Sequence, residues 1–128
     1  MIDYSGANLQ GADFEEAPLW DAMLNGADLT EANLQRAELT GANLRGANLT
    51  RAQLMGADLT DADLTGADLT NAQLDGADLR GAIITVSQLQ SADCGEHTRI
   101  DHGLALELHW MELDRIERAE NTNTLTKS

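Results

Sequence analysis

Cysteine, proline and aromatic residues are nearly missing from this 128-residue chain, which has one Cys, one Pro, two Trp, one Tyr and one Phe. A lone cysteine, Cys94, excludes an internal disulfide framework. With 3% aromatics the chain lacks the large rings that supply much of the buried area of an ordinary globular core. Positive charge is scarce too: 8 Lys plus Arg stand against 22 Asp plus Glu, a formal net charge of −14. That balance disfavours binding to nucleic-acid phosphates or anionic lipid, and it favours solubility or a basic partner. No run approaches the roughly 18–20 apolar residues of a membrane span. The opening Met1-Ile2-Asp3-Tyr4 has neither the basic nor the apolar region of a signal peptide. These absences together point to a reduced, cytoplasmic setting.

What the chain does have is a period of five. From Ile2 to Glu96 it reads as 19 pentads, whose first position is Ala in 17 and whose third position is Leu in 15. The other first positions are Ile2 and Ser87; the other third positions are Tyr4, Phe14, Ile84 and Cys94. Five matches neither the helical period of 3.6 nor the strand period of 2, so each pentad must be one side of a larger coil. Two apolar residues flanking one polar residue point the same way on an extended segment, which places Ala and Leu inward. The second, fourth and fifth positions are dominated by Asp, Asn, Thr, Gln, Arg and Gly, and face outward. Gly6, Gly26, Gly46 and Gly66 recur every 20 residues until Val86 breaks the series. Glycine at one corner suggests positive φ or close approach to the next coil there. Twenty residues make a four-sided coil; 95 residues give 4.75 coils. At about 4.8 Å per coil the rod is roughly 23 Å long.

Pentads such as Ala27-Asp28-Leu29-Thr30 and Gly66-Ala67-Asp68-Leu69-Thr70 resemble those of the pentapeptide repeat family, over about three quarters of the chain. The resemblance implies an all-β solenoid, a right-handed quadrilateral β-helix of about 4–5 coils. Pro18, Met23, Ile83, Val86 and Ser87 depart from the pattern near the two ends, where a solenoid must stop stacking.

The segments expected are a repeat helix over 1–96, a connector and capping helix over 97–120, and a loose tail over 121–128. Asp101 or Thr98 is placed to cap a helix through 104–118. Leu104, Leu108 and Met111 form one apolar face of it, and Leu106, Trp110 and Leu113 lie nearly opposite. One face covers the exposed end of the last coil, and the other is left for a partner. Together with Trp20 at the first coil, Leu106, Trp110 and Leu113 are the candidate end contacts, which admit a monomer or a weak homodimer through an end.

Imposing the coil sorts the acidic residues. The side centred on Leu19, Leu39, Leu59 and Leu79 carries a net −4; that centred on Phe14, Leu34, Leu54, Leu74 and Cys94 carries −5; the others carry −2 and −1. Glu38, Asp58 and Asp78 stack directly, with Asp61 on the same side and Asp75 on the neighbouring one. These five form the candidate partner-binding face; a solvated face that blocks aggregation is the plainer alternative. Cys94, His97, His102 and His109 match no zinc-ligand spacing, and no phosphate loop or nucleophile motif is present, so neither metal, cofactor nor catalytic site is expected. The reading is a non-enzymatic, rigid interaction scaffold with an unknown protein partner, and with no direct nucleic-acid or membrane contact. The alternative, implied by the family resemblance, is an acidic DNA mimic acting on a type II topoisomerase or another DNA-binding protein. The pentads carry −12 in all, against roughly 13 phosphate charges on 23 Å of duplex.

The inward assignment of Ala is testable. Ala57→Leu should lower stability by about 1–3 kcal/mol or more through overpacking, read as the midpoint shift in a denaturant melt; an unchanged midpoint contradicts it.

Overall fold

The computed structural model describes residues 2–108. Each pentad is a short extended side followed by a turn. Parallel bridges join each second-position residue to the one 20 later, unbroken from Asp3↔Met23 to Asp63↔Ile83. Four sides of five residues therefore make one coil, and the coils stack in register.

The interior follows the pentad. Twelve leucines from Leu24 to Leu79 are fully buried, and the alanines between them, Ala57 among them at 1% exposure, line the same core. The first coil is the least covered: Tyr4 and Phe14 meet across it with ring centroids 5.8 Å apart, while Ile2 and Tyr4 remain partly exposed.

The corners show why one residue in five is special. A third-position carbonyl accepts the N–H of the Ala three residues on, as Leu29 does from Ala32. The fifth-position residue between them has positive φ. With one such residue per turn, each is a type II turn. Positive φ occurs at every corner, not only at the corner of Gly6, Gly26, Gly46 and Gly66. Glu31, Arg51 and Asp61 adopt φ of 60°, 57° and 60°. Gly46 also has nothing within 4 Å of where a Cβ would stand. The glycine interval therefore reports the coil length, while close approach at that corner is not its cause.

Main-chain donors of the regular coils follow a fixed scheme. Within a pentad the second-position N–H reaches back 21 residues, as Asp58 does to Ala37. The third- and fifth-position N–H groups reach forward 19, as Leu59 does to Asp78 and Asp61 to Arg80. The fourth N–H has no main-chain acceptor. Where the second residue is Asp or Asn, it donates instead to that side chain: Thr60 to Asp58 Oδ1 at 3.0 Å, Thr50 to Asn48 Oδ1 at 3.0 Å and Gln35 to Asn33 Oδ1 at 3.1 Å. Where such an Asp or Asn is followed by Thr or Ser, the hydroxyl donates to the same oxygen, at 2.6 Å for Thr30, Thr60 and Thr70. Asp and Asn recur at the second position because their short side chains close this turn. Threonine at the fourth position adds its hydroxyl as a second donor to that oxygen.

The regular coil stops earlier than Glu96. Val86 stands where the series of corner glycines would continue, and a β-branched residue resists positive φ. The chain turns there into helix α1 (Val86–Ser91). Thr85 caps it, with its hydroxyl accepting from Gln88 N–H and Gln88 accepting from Thr85 N–H. Val86 and Leu89 remain buried, so α1 covers part of the coil end. The lattice resumes at Gln73↔Asp93 and, after one inserted residue, at Asp78↔Arg99. A second helix, α2, runs from 102 to the last described residue, 108, starting two residues before the expected 104, and Ala105 donates to the Asp101 carbonyl. Leu104 and Leu108 pack against the core, whereas Leu106 is exposed.

The turn-closing carboxylates have a pH signature. Hydrogen bonds from the following Thr hydroxyl, then from its N–H, hold Asp28, Asp63 and Asp68 below the ordinary value of 3.8. Asp58 is lowered chiefly by the Thr60 hydroxyl, against partial burial. A carboxyl lowered by folding contributes stability above its unfolded value, lost as pH falls through the folded one. Melting temperature should be level between about pH 7 and 5 and fall below about pH 4. Changing all four residues to Asn keeps the acceptor and should flatten that fall; an equally steep fall in both proteins would refute the assignment.

Candidate interaction surface

The parallel register builds one column on the Leu19 side, running Pro18, Glu38, Asp58, Asp78 and Arg99. Glu38, Asp58 and Asp78 are stacked as expected from the sequence. Like charges one coil apart repel, and the Asp78 charge counts among the influences raising the Asp58 pKa. The hydrogen bonds of the turns outweigh it.

Each carboxylate is held differently. Asp58 closes its turn on Thr60. Asp78 makes a two-pronged pair with Arg80, Nε to Oδ1 at 2.9 Å and Nη2 to Oδ2 at 2.7 Å, and the Arg80 side-chain bonds are the largest cause of its lowered pKa. Asp61 projects over Gly81, its Oδ1 occupying the space of a Cβ there; Asp21 lies over Gly41 in the same way. Alternation of Asp and Gly at this corner leaves room for each carboxylate above the next coil. Asp75 belongs to the neighbouring side, where it accepts from His97 N–H at 3.3 Å and lies 3.4 Å from His97 Nδ1.

Trp20 is 57% exposed on the column's side, in the register of Thr40, Thr60 and Arg80. The structure thus places Trp20, Glu38, Asp58, Asp61 and Asp78 on one side, and Asp75 on the neighbouring one. Trp110 and Leu113 lie outside the described residues.

Elsewhere the charges are matched between coils. Arg36 pairs with Glu15 and, at 3.1 Å, with Glu16; Arg51 pairs with Glu31 at 3.0 Å and Arg45 with Asp63 at 3.1 Å. All are exposed pairs of small individual worth. Spacing near 20 was the sequence signal for these pairs, and it was not read.

Two hollows open near the C-terminal end of the coils. One, of about 360 Å³, is lined by Thr65, Ala67, Ile83, Ile84 and Gln88, where α1 departs from the coil, and Ile83 is 59% exposed beside it. The other, of about 320 Å³, lies over Gly56 and Gly76 between Asp58, Asp78, His97 and Arg99. Arg80 on Asp78 and Arg99 at the rim balance its carboxylates, so it offers no single charge to a ligand. Cys94 is half-buried, its thiol donating to the Leu89 carbonyl at 3.4 Å, and burial followed by the Asp93 charge pushes its pKa up. Among the described residues no three His, Cys, Asp or Glu side chains are grouped to hold a metal ion, and no helix is long and apolar enough to cross a membrane.

The family model for pentapeptide repeats matches in eight copies, over residues 5–41, 14–51, 22–61 and 47–85. No curated protein matches the chain. Among solved structures, alr5209, a pentapeptide repeat protein from Nostoc PCC 7120, is 34% identical with a TM-score of 0.54, over 77% of this chain and 84% of that one. A pentapeptide repeat protein of the Arabidopsis thaliana thylakoid lumen is 36% identical with a TM-score of 0.47, over 72% of this chain and 61% of its own. HetL, a pentapeptide repeat protein of Nostoc sp. strain PCC 7120 involved in heterocyst differentiation regulation, is 30% identical with a TM-score of 0.35, over 76% and 59%. The chain therefore spans less than two thirds of the latter two. With the repeat model running over more than half of its residues, the chain belongs to the pentapeptide repeat family.

Proposed function

We propose that this protein is a rigid, non-enzymatic scaffold of the cytoplasm whose Leu19 side docks a basic partner. Its frame is a right-handed quadrilateral β-helix of about 4–5 coils, capped at the C-terminal end by α2. The observation that carries the reading is the exposed Trp20 on the side that presents Glu38, Asp58 and Asp78 one coil apart. An exposed tryptophan beside aligned carboxylates suits a partner that brings Lys or Arg together with an apolar contact, since Trp both buries area and receives cations. A stacked lattice with every turn hydrogen-bonded holds such groups at fixed spacing, which lowers the ordering cost of binding.

Glu38 is the informative residue for a test, because its carboxylate closes no turn and can be changed without loosening the coil. Trp20→Ala combined with Glu38→Lys should abolish capture of a specific protein by cross-linking from a photoreactive group placed on the Leu19 side, while melting temperature stays within a few degrees. Capture of the same protein by both forms would remove this side as the docking face. A gyrase supercoiling assay separates the alternative. Salt-sensitive inhibition or protection, lost on charge reversal at Asp58 and Asp78, would establish the DNA mimic instead.

A further inference from the structure

On a continuing coil, each second-position N–H donates to the Ala carbonyl 21 residues earlier: Asp68 to Ala47, Asp78 to Ala57 and Ile83 to Ala62. The next donor in that row is Gln88, and its acceptor is Ala67. Gln88 lies in α1 instead, and its main-chain N–H is taken by the Thr85 hydroxyl at 3.2 Å. Its side-chain Nε2 nevertheless donates to the Ala67 carbonyl at 3.0 Å, and to the Leu64 carbonyl at 2.7 Å. The amide of one side chain stands where the peptide group of the same residue would have stood.

We propose that Gln88 is the terminator of the coil stack, its side-chain amide continuing the hydrogen-bond lattice for one further side while the main chain leaves it. The division of labour within the amide is plain. Oε1 accepts from Thr85 N–H at 2.8 Å and fixes the start of α1, whereas Nε2 bonds the coil below. One residue thus ties the helix that ends the repeat to the edge that the repeat leaves open. An unbonded edge is a template for pairing with another chain, and repeat proteins need an end that closes it.

The same substitution of side chain for main chain recurs on the adjoining sides. Gly41 and Asp61 donate N–H to the carbonyls of Thr60 and Arg80; Gly81, next in that row, donates to the Asp101 carboxylate at 3.1 Å, just before α2. The Thr98 hydroxyl bonds the Leu74 carbonyl at 2.8 Å where the last side takes its inserted residue. Side chains thus reach coil-end groups of Ala67, Gly81 and Leu74.

Gln88→Glu separates the two halves of the amide. A carboxylate keeps the acceptor for Thr85 N–H and is the usual partner in a capping box, favoured further by its charge near a helix N-terminus. If Gln88 served α1 alone, the variant would protect α1 as well as the native residue or better. The proposal requires the reverse, because a carboxylate has no proton to give Ala67 and Leu64. In the full chain at pH 7, hydrogen exchange at the Leu89 amide should quicken about tenfold or more after correction for intrinsic rate, while Leu59 in the coil interior is unchanged. Below about pH 4 the protonated acid regains a donor, and Leu89 protection should return to that of the native protein measured at the same pH. Gln88→Leu, lacking donor and acceptor, should lose protection at both pH values. Native protection of Leu89 in Gln88→Glu at pH 7 would overturn the proposal, as would loosening that does not reverse in acid.

Discussion

Every pentad has one main-chain N–H that neither its own turn nor the adjoining coil can bond, and the surface is built around that donor. An oxygen two residues earlier, on a side chain short enough to fold back, is the solution used at Asp28, Asn33, Asn48 and Asp58. Amides left unbonded cost stability, so Asp or Asn is favoured at this position, although Pro18, Met23, Glu38, Gln53 and Gln73 stand there in other pentads. The turn does not, however, demand charge. Asn48 and Asp58 perform the same service. The excess of Asp over Asn on the Leu19 side is therefore a property beyond what the fold requires.

The corners impose a second constraint, met with less uniformity. Glycine is the unstrained choice for positive φ, yet Glu16, Glu31, Arg36 and Arg51 adopt it as well. Strain of this kind persists where the surroundings over-determine the backbone, and here each corner is held by coils in register. Stacking also returns something for it, because Glu16 meets Arg36 and Glu31 meets Arg51 one coil apart. A glycine at either place would lose that pairing.

How much of this could be read from the chain follows from which interactions are periodic. Leu59 and Ala57 repeat, so their inward placement was legible, and so was the 20-residue coil. The coil stack Glu38, Asp58 and Asp78 follows from that period alone. Thr60 was legible as outward but not as a donor, because the turn it closes depends on a φ that no residue pattern states when Asp61 stands in for Gly. The segment after Ile84 was misjudged for a different reason. Ser87, Leu89 and Ala92 still fit the pentad loosely, and Leu89 is still buried, so the repeat looked continuous; the competing signal, Thr85 with Gln88 three residues on, is a capping box. A local hydrogen-bonding motif beat a weakened repeat once Val86 could not take the corner.

These constraints together tell where specificity must reside. First and third positions belong to the core, the Asx oxygen belongs to the turn, and the corner belongs to the backbone. What remains is the set of outward positions whose residue the fold does not dictate. Trp20 stands in the register of Thr40 and Thr60 but offers no hydroxyl; Glu38 stands in the register of Asp58 but is a methylene too long for the turn. Glu38 forgoes the turn bond that Asp58 and Asp78 make, and Trp20 follows Pro18, where no such bond is available. Neither residue is dictated by the turn or the core, and the two share one side of the rod.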